Sequence, residues 1–285
     1  MEIFVAKSSG FCFGVKRAIN MADRCASETS GGIYTLGPLI HNPQVVKRLE
    51  DASGVYAKNT VDEIVKGTVI IRSHGAKLEE LKAAKDKGLN IVDATCPFVK
   101  KAQELVTELT REGYFVVVVG EKDHPEVKGL KSFGSTEIKV AESPEELLDM
   151  PRMKKIGIVA QTTVPIEKLE SVVRYCLLKA TEMKVFNTIC NATSIRQKES
   201  AELARHVDLM LVVGGKNSAN TRRLAEICST IQPCTRHIEV AGEISPEWLD
   251  GVQKVGVTSG ASTPDWVIAE AVDKLKAICC TPCVK

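Results

Sequence analysis

One junction recurs three times in this chain: a short apolar strand, a few small polar residues, a cysteine, and at once a helix. It reads "EIFVAKSSGFCFGVKRAINMADR" around Cys12, "GLNIVDATCPFVKKAQELVTELTREG" around Cys96 and "MKVFNTICNATSIRQKESAELARH" around Cys190. Cys96 lies 84 residues after Cys12, and Cys190 lies 94 after Cys96. A period of that length implies three similar supersecondary units rather than a solenoid. Around Cys96 "GLNIVDAT" reads as a short β-branched strand, and Pro97 suits the first position of an amphipathic helix. Cys96 then falls at or beside the N-cap, where unpaired N–H groups and the helix dipole stabilise negative charge. A thiol there tends towards the thiolate, the form that attacks electrophiles or binds metal. For any one of these cysteines, a buried inert thiol at a strand end is the competing reading.

The repetition continues downstream. Each cysteine is followed by a strand, a glycine, a polar loop and a helix start: "IYTLGPLIHNPQVVKRL", "YFVVVVGEKDHPEVKGL" and "LMLVVGGKNSANTRRLAEI". His41 lies 29 residues past its cysteine, and His124 and Ser218 each lie 28 past theirs. A further strand-to-helix junction carries His74 in "RSHG", Thr162 and Thr163 in "AQTT", and Ser259 and Ser262 in "TSGAST". Alternation of strand and helix throughout predicts parallel α/β units, with ligands beyond the carboxyl ends of the strands. The expected fold is α/β: three pseudo-equivalent units with mostly parallel sheets, in a trefoil around a central cavity ringed by helix N-termini that attract anions. The boundaries fall at the cysteines, giving a first unit at 14–95, a second at 96–189, and a third from 1–13 with 190–285. Neither G-x-G-x-x-G nor G-x-x-x-x-G-K-[ST] opens a helix after a strand, so nothing requires NAD or ATP.

Composition removes several function classes. The formal net charge of +2 in 285 residues gives no basic balance suited to nucleic acid. The longest apolar runs are far shorter than the roughly 20 residues of a membrane helix, so no membrane association is expected. No secretory signal is visible at "MEIFVAKSSG". Ten cysteines without an export signal predict reduced thiols and a cytoplasmic setting.

Three recurring thiolates suit zinc, Cu(I) or an iron–sulfur cluster. A closed structural zinc site wants four ligands. Three thiolates on a [4Fe–4S] cluster leave one iron open to a substrate oxygen. Histidines, hydroxyls, amides and helix N-termini in the remaining loops suit a phosphate or diphosphate. His206 and His237 lie outside the repeat and are read as structural. Glu126, two residues beyond His124, is placed to give a proton to a departing hydroxyl, or else is a helix-start glutamate favoured by the dipole.

"GFCFGVKRA", "LIHNPQVV", "RSHG", "DATCP", "DHPEV", "AQTT", "NTIC" followed by "AT", "GGKNSANTRRL" and "TSGASTPDW", in this order over nearly the whole chain, resemble the 4-hydroxy-3-methylbut-2-enyl diphosphate reductase (LytB) family. The resemblance implies reductive loss of an allylic hydroxyl, giving isopentenyl and dimethylallyl diphosphates in the last step of the non-mevalonate isoprenoid pathway. It implies a [4Fe–4S] cluster on Cys12, Cys96 and Cys190. It assigns the diphosphate to His41, His74, His124, Ser218, Asn220 and Ser262, the hydroxyl to Thr162, and proton supply to Glu126. Two electrons would come from a ferredoxin or flavodoxin. The chain departs from relatives at Ala219, where some have serine, and at Asp123, where a small residue often stands.

Cys25, Cys176 and Cys228 sit in helical patterns and are read as core. The terminal "CCTPC" holds a weak C-x-x-C. Lys16, Arg17, Lys100, Lys101, Arg196 and Lys198 follow the three cysteines, either as solvated helix faces or as a basic rim for an acidic electron carrier. The rival functions are a cysteine–histidine hydrolase, which leaves two cysteines unexplained; a zinc-stabilised binding protein, which leaves the polar loops unexplained; and an iron–sulfur sensor, for which no DNA-binding element is present.

Overall fold

The computed structural model describes residues 1–280. The chain opens with strand β1 (Glu2–Val5) and helix α1 (Phe13–Glu28). Next come β2 (Ile33–Leu36), α2 (Pro43–Ser53), β3 (Val55–Lys58), β4 (Thr68–Ile71), α3 (Leu78–Asp86) and β5 (Asn90–Asp93). Their strands form a parallel sheet in the order β3-β2-β4-β5. The following stretch holds α4 (Pro97–Arg111), β6 (Phe115–Val119), α5 (Pro125–Ser132), β7 (Ile138–Ala141), β8 (Met153–Ala160), α6 (Ile166–Leu177) and β9 (Ala180–Phe186). Its parallel sheet runs β7-β6-β8-β9. The last stretch holds α7 (Asn191–Ala204), β10 (Leu209–Val213), α8 (Ala219–Ile231), β11 (Thr235–Ile238), β12 (Lys254–Ser259) and α9 (Asp265–Cys280). Here the order is β1-β12-β10-β11, again all parallel.

The three orders are one order. In each sheet the first strand lies between the second and third, and the fourth strand, which leads to the cysteine, pairs outside the third. Only in the last sheet does the chain's own N-terminus supply that fourth strand. The topological switch point of each sheet therefore falls between its first and third strands, where α/β folds bind ligands. Those two strand ends lead to His41 and His74, to His124 and Thr162, and to Ser218 and Ser262.

The central strands are apolar because both faces are covered. In β6, Val116 and Val118 pack with Leu105, Val106 and Leu109 of α4, while Val117 and Val119 face the other way, into a cluster with Leu169 and Val172 of α6. The α4 residues recur at three and four, as a one-sided helix requires. In β10, Leu209, Leu211 and Val213 join Val267, Ala271 and Leu275 of α9, and Met210 and Val212 join Leu224 and Cys228 of α8. Helix α7 differs, for it buries Thr193, Arg196, Ser200 and Ala204, a largely polar stripe. Cys25, Cys176 and Cys228 are buried, and burial pushes the thiols of Cys176 and Cys228 up to about 11 and about 12. They are core, as expected. Cys279 and Cys280 end α9, and Cys283 lies outside the described residues.

The chain separates into two compact units. One contains Met1–Lys16, His41–Lys47 and the described chain from Asn191 to Cys280; the other contains Arg17–Ile40 and Arg48–Cys190. None of the helices among the described residues is long and apolar enough to cross a membrane.

Gly214 follows β10 at φ 143°, a conformation L side chains rarely adopt, and a Cβ there would collide with Thr263 Oγ1. That hydroxyl is already committed to the Val213 carbonyl at 3.0 Å. Gly214→Ala is expected to destabilise the protein by about 1–3 kcal/mol, read as a lower midpoint in urea unfolding of the metal-free protein.

Candidate active site

Each cysteine stands where its fourth strand ends and a helix begins. Cys96 is the N-cap of α4, with φ −58°, ψ 133° and Pro97 behind it, as the sequence predicts. Its N–H donates to the Ser73 carbonyl at 2.9 Å, and its own carbonyl accepts the first helical bond from Lys100. The other two repeat this anchoring: Cys190 N–H donates to Thr162 O at 2.9 Å, and Cys12 N–H to Ala261 O at 3.0 Å. Each acceptor lies in the loop after the adjacent third strand and is, or directly adjoins, one of His74, Thr162 and Ser262. All three cysteines are half-buried.

In the unit that holds Cys96 and Cys190, the predicted residues form a connected set. Glu126 sits in the first turn of α5 and is 1% exposed. Its Oε1 accepts the Thr162 N–H at 2.7 Å and its Oε2 accepts the Thr162 hydroxyl at 2.9 Å. Burial pushes its carboxyl up to about 7, although both Thr162 bonds oppose the shift. The Glu126 N–H donates to His124 Nδ1 at 3.2 Å. That assigns the neutral ring's proton to Nε2. The rings of His124 and His74 meet edge to face, with centroids 5.8 Å apart.

Residues that motif reading passed over hold these loops. Gln161 accepts the Glu121 N–H and donates to Thr163 Oγ1, while the Ala160 N–H donates to the Thr188 hydroxyl. A Cβ on Gly120 would strike the Gln161 side chain at 2.7 Å. The glycine that recurs after each repeat's first strand is the signal that points there.

In the unit that holds Cys12, Ser218 is the N-cap of α8 and accepts the Thr221 N–H at 3.4 Å. Asn220 is the second residue of α8, in its first turn, and is 7% exposed, yet neither its side-chain oxygen nor its nitrogen has a partner. A buried amide left this way is costly within the protein alone and offers both a donor and an acceptor to a ligand at a helix N-terminus. Ser262 donates its hydroxyl to the His41 carbonyl at 3.2 Å. Asn42, beside His41, caps α2 through a 3.0 Å bond from the Val45 N–H. His237 makes a 2.9 Å contact with the Gly214 carbonyl, and His206 makes one with Glu202 on an exposed helix face.

The basic residues after the cysteines are not a uniform solvated face. Lys100 pairs with Asp93 at 2.8 Å. The Asp93 carboxyl lies below its usual range: burial would raise it, but bonds from Lys100 and Thr95 outweigh burial. Arg17 donates to the Thr95 carbonyl, and Arg196 is buried. Lys16, Lys101 and Lys198 are exposed.

No three His, Cys, Asp or Glu side chains among the described residues gather closely enough for a single metal ion. A four-iron cube does not ask for that, since each thiolate bonds a different iron. Cysteine donors on polar loops at helix starts have the chemistry such a group takes. Cysteine loops joined by backbone bonds to histidine and hydroxyl loops, at the carboxyl edge of parallel sheets, mark the centre of an α/β enzyme.

The sequence matches the family described as LytB protein over residues 3–276. It is 56% identical over 278 residues to the 4-hydroxy-3-methylbut-2-enyl diphosphate reductase of Geobacter metallireducens, covering 98% of each chain. It is also 56% identical to that of Pelobacter propionicus, covering 98% of this chain and 99% of that one. The fold is similar to a solved reductase described as the terminal enzyme of the non-mevalonate pathway, with TM-score 0.75 and 48% identity over 97% of this chain and all of that one. It is also similar to the Plasmodium falciparum reductase, with TM-score 0.89 and 27% identity over 96% of this chain and 87% of that one. The chain belongs to the LytB family.

Glu126 gives a pH signature in the metal-free protein. Its folded value is raised, so the native state binds more protons than the unfolded state between about 4.5 and about 7. The stability held by the neutral carboxyl is therefore present at low pH and lost as pH rises through about 7. Relative to Glu126→Gln, the wild type should lose roughly 3 kcal/mol between pH 4.5 and 8. Urea unfolding of both proteins across that range reads the difference.

Proposed function

We propose that the chain reduces 4-hydroxy-3-methylbut-2-enyl diphosphate to isopentenyl and dimethylallyl diphosphates at a [4Fe–4S] cluster held by Cys12, Cys96 and Cys190. The observation that carries this reading is the buried Glu126–Thr162 pair, wired through the Thr162 carbonyl to the Cys190 loop. When bound, the cluster supplies electrons and an iron that no protein thiolate occupies. The balance is one allylic alcohol, two electrons and two protons in, and one alkene and one water out. On this reading the working division of the chain is 14–95, 96–189, and 1–13 with 190–285. Membership of the three sheets supports it, because each four-stranded sheet draws its strands from one of these divisions.

The residues then have distinct tasks. Asn220 and Ser218, at the start of α8, hold the diphosphate with His41, His74, His124 and Ser262. The orphaned Asn220 amide and the Nε2–H of His124 supply donors, and the helix end favours the negative charge. Thr162 positions the hydroxyl. Glu126 does not touch the ligand space itself, being 1% exposed. When Glu126 is protonated, the Oε2 contact reverses: the carboxyl donates to Thr162 Oγ, and the threonine proton is released towards the leaving hydroxyl. A value near 7 leaves that proton available at neutral pH. Electrons come from a ferredoxin or flavodoxin in the cytoplasm, and Lys16, Lys101 and Lys198, exposed beside the cysteine helices, suit an acidic carrier.

The test is anaerobic purification followed by turnover with a reduced dye. The protein should be brown, with about four iron and about four sulfide per chain, and should release both alkenyl diphosphates. Zinc without sulfide, or hydrolysis without reduction, would overturn the proposal. With the cube in place, Glu126→Gln should lower kcat by on the order of 100-fold or more. Wild-type kcat should fall as pH rises through about 7.

A further inference from the structure

The polar stripe of α7 carries a charge that the proposed reaction has not used. Arg196 is 3% exposed. Among the described residues it forms no ion pair, and its Nε has no partner. Its two terminal nitrogens donate to backbone carbonyls instead, Nη1 to Ser259 O and Nη2 to Gly10 O, both at 2.9 Å. One turn along α7, Glu199 accepts the N–H groups of Lys7 at 2.6 Å and Ser8 at 2.8 Å. Gly10 N–H donates to Ser259 Oγ, and Cys12 N–H to Ala261 O. The loop leading into Cys12 is thus gripped at every turn, and Gly10 enters it at φ 91°. Arg17 repeats the motif in the other unit, where it holds the Thr95 and Asp93 carbonyls ahead of Cys96.

Hydrogen bonding alone does not account for a guanidinium in that place. A buried cation without a carboxylate costs several kcal/mol, and a neutral amide would serve two carbonyls. Burial lowers the Arg196 pKa, while Cys12 and Glu199 act to hold its charge. A cube carrying three thiolates is an anion, and one electron more negative when reduced.

We propose that Arg196 is a positioning residue for the cluster: it fixes the loop that carries Cys12, and its buried charge favours the reduced cube. This rests on the reading of Cys12 as a cluster ligand. Net charge near a cluster is one of the determinants of its reduction potential.

Two readouts on the full chain test it. The first is a redox titration of the loaded protein followed by electron paramagnetic resonance. Arg196→Gln should make reduction at least tenfold less favourable, 59 mV for a one-electron couple, while Arg196→Lys, which keeps the charge, stays within about threefold of wild type. Lys274→Gln, at an exposed position on α9, should shift nothing comparable. The second is hydrogen exchange of the metal-free protein, where Arg196→Gln should speed exchange of the 7–12 segment at least tenfold with the rest of the fold intact. A loaded Arg196→Gln variant with unchanged potential, or an Arg196→Lys variant shifted as far as it, overturns the charge role. Unchanged exchange overturns the positioning role, and decides the matter if Arg196→Gln cannot be loaded. Failure of the wild type to hold iron would instead strike the cluster reading itself, which the exchange measurement does not need.

Discussion

A single backbone hydrogen bond, made three times, organises this protein. The N–H of each cysteine donates to the loop after the neighbouring third strand, to Ala261, Ser73 or Thr162. The bond fixes the thiol-bearing turn against a loop that bears a hydroxyl or imidazole. The sheet order makes this possible, because the strand leading to the cysteine always pairs outside the third strand. Parallel pairing then brings both C-terminal ends to the same edge.

Built on that frame, Glu126 and Thr162 show how burial is turned to chemistry. Desolvation alone would drive the carboxyl far from its usual range, and the two bonds from Thr162 restrain the shift to about 7. The same pair of bonds joins the acid to the Cys190 turn, so acidity and placement share one cause. In the unit that holds Cys12, Asn220 is the complementary case. It is a buried amide with no internal partner, a costly arrangement that the proposed diphosphate would relieve.

The large features were legible in the residues because they repeat. Cysteine positions, the glycine after each first strand, and the loops carrying His41, His74, His124, Thr162, Ser218 and Ser262 recur at matched offsets, and matched offsets survive without knowledge of contacts. Arg196 was not legible in the same way. It stands in a helix just ahead of Lys198 and Glu199 and looks like part of a solvated face, yet it is 3% exposed. Helix α7 lacks the apolar periodicity that reports an inward face, because its inward stripe is Thr193, Arg196 and Ser200. Gln161 and Thr188 escaped for a related reason, since their work is to hold backbone across a gap in sequence that no local spacing reveals.

By itself the sequence determined the alternation of strand and helix, the placement of each cysteine at a helix start, and the family. These follow from local rules: β-branched runs, proline at the first helical position, and motifs kept in order. Only the tertiary structure decided the strand order, the burial of Glu126 and Arg196, and which hydroxyls bond to backbone. Strand pairing and desolvation depend on groups far apart in the chain, and no short stretch of residues carries the energy of either.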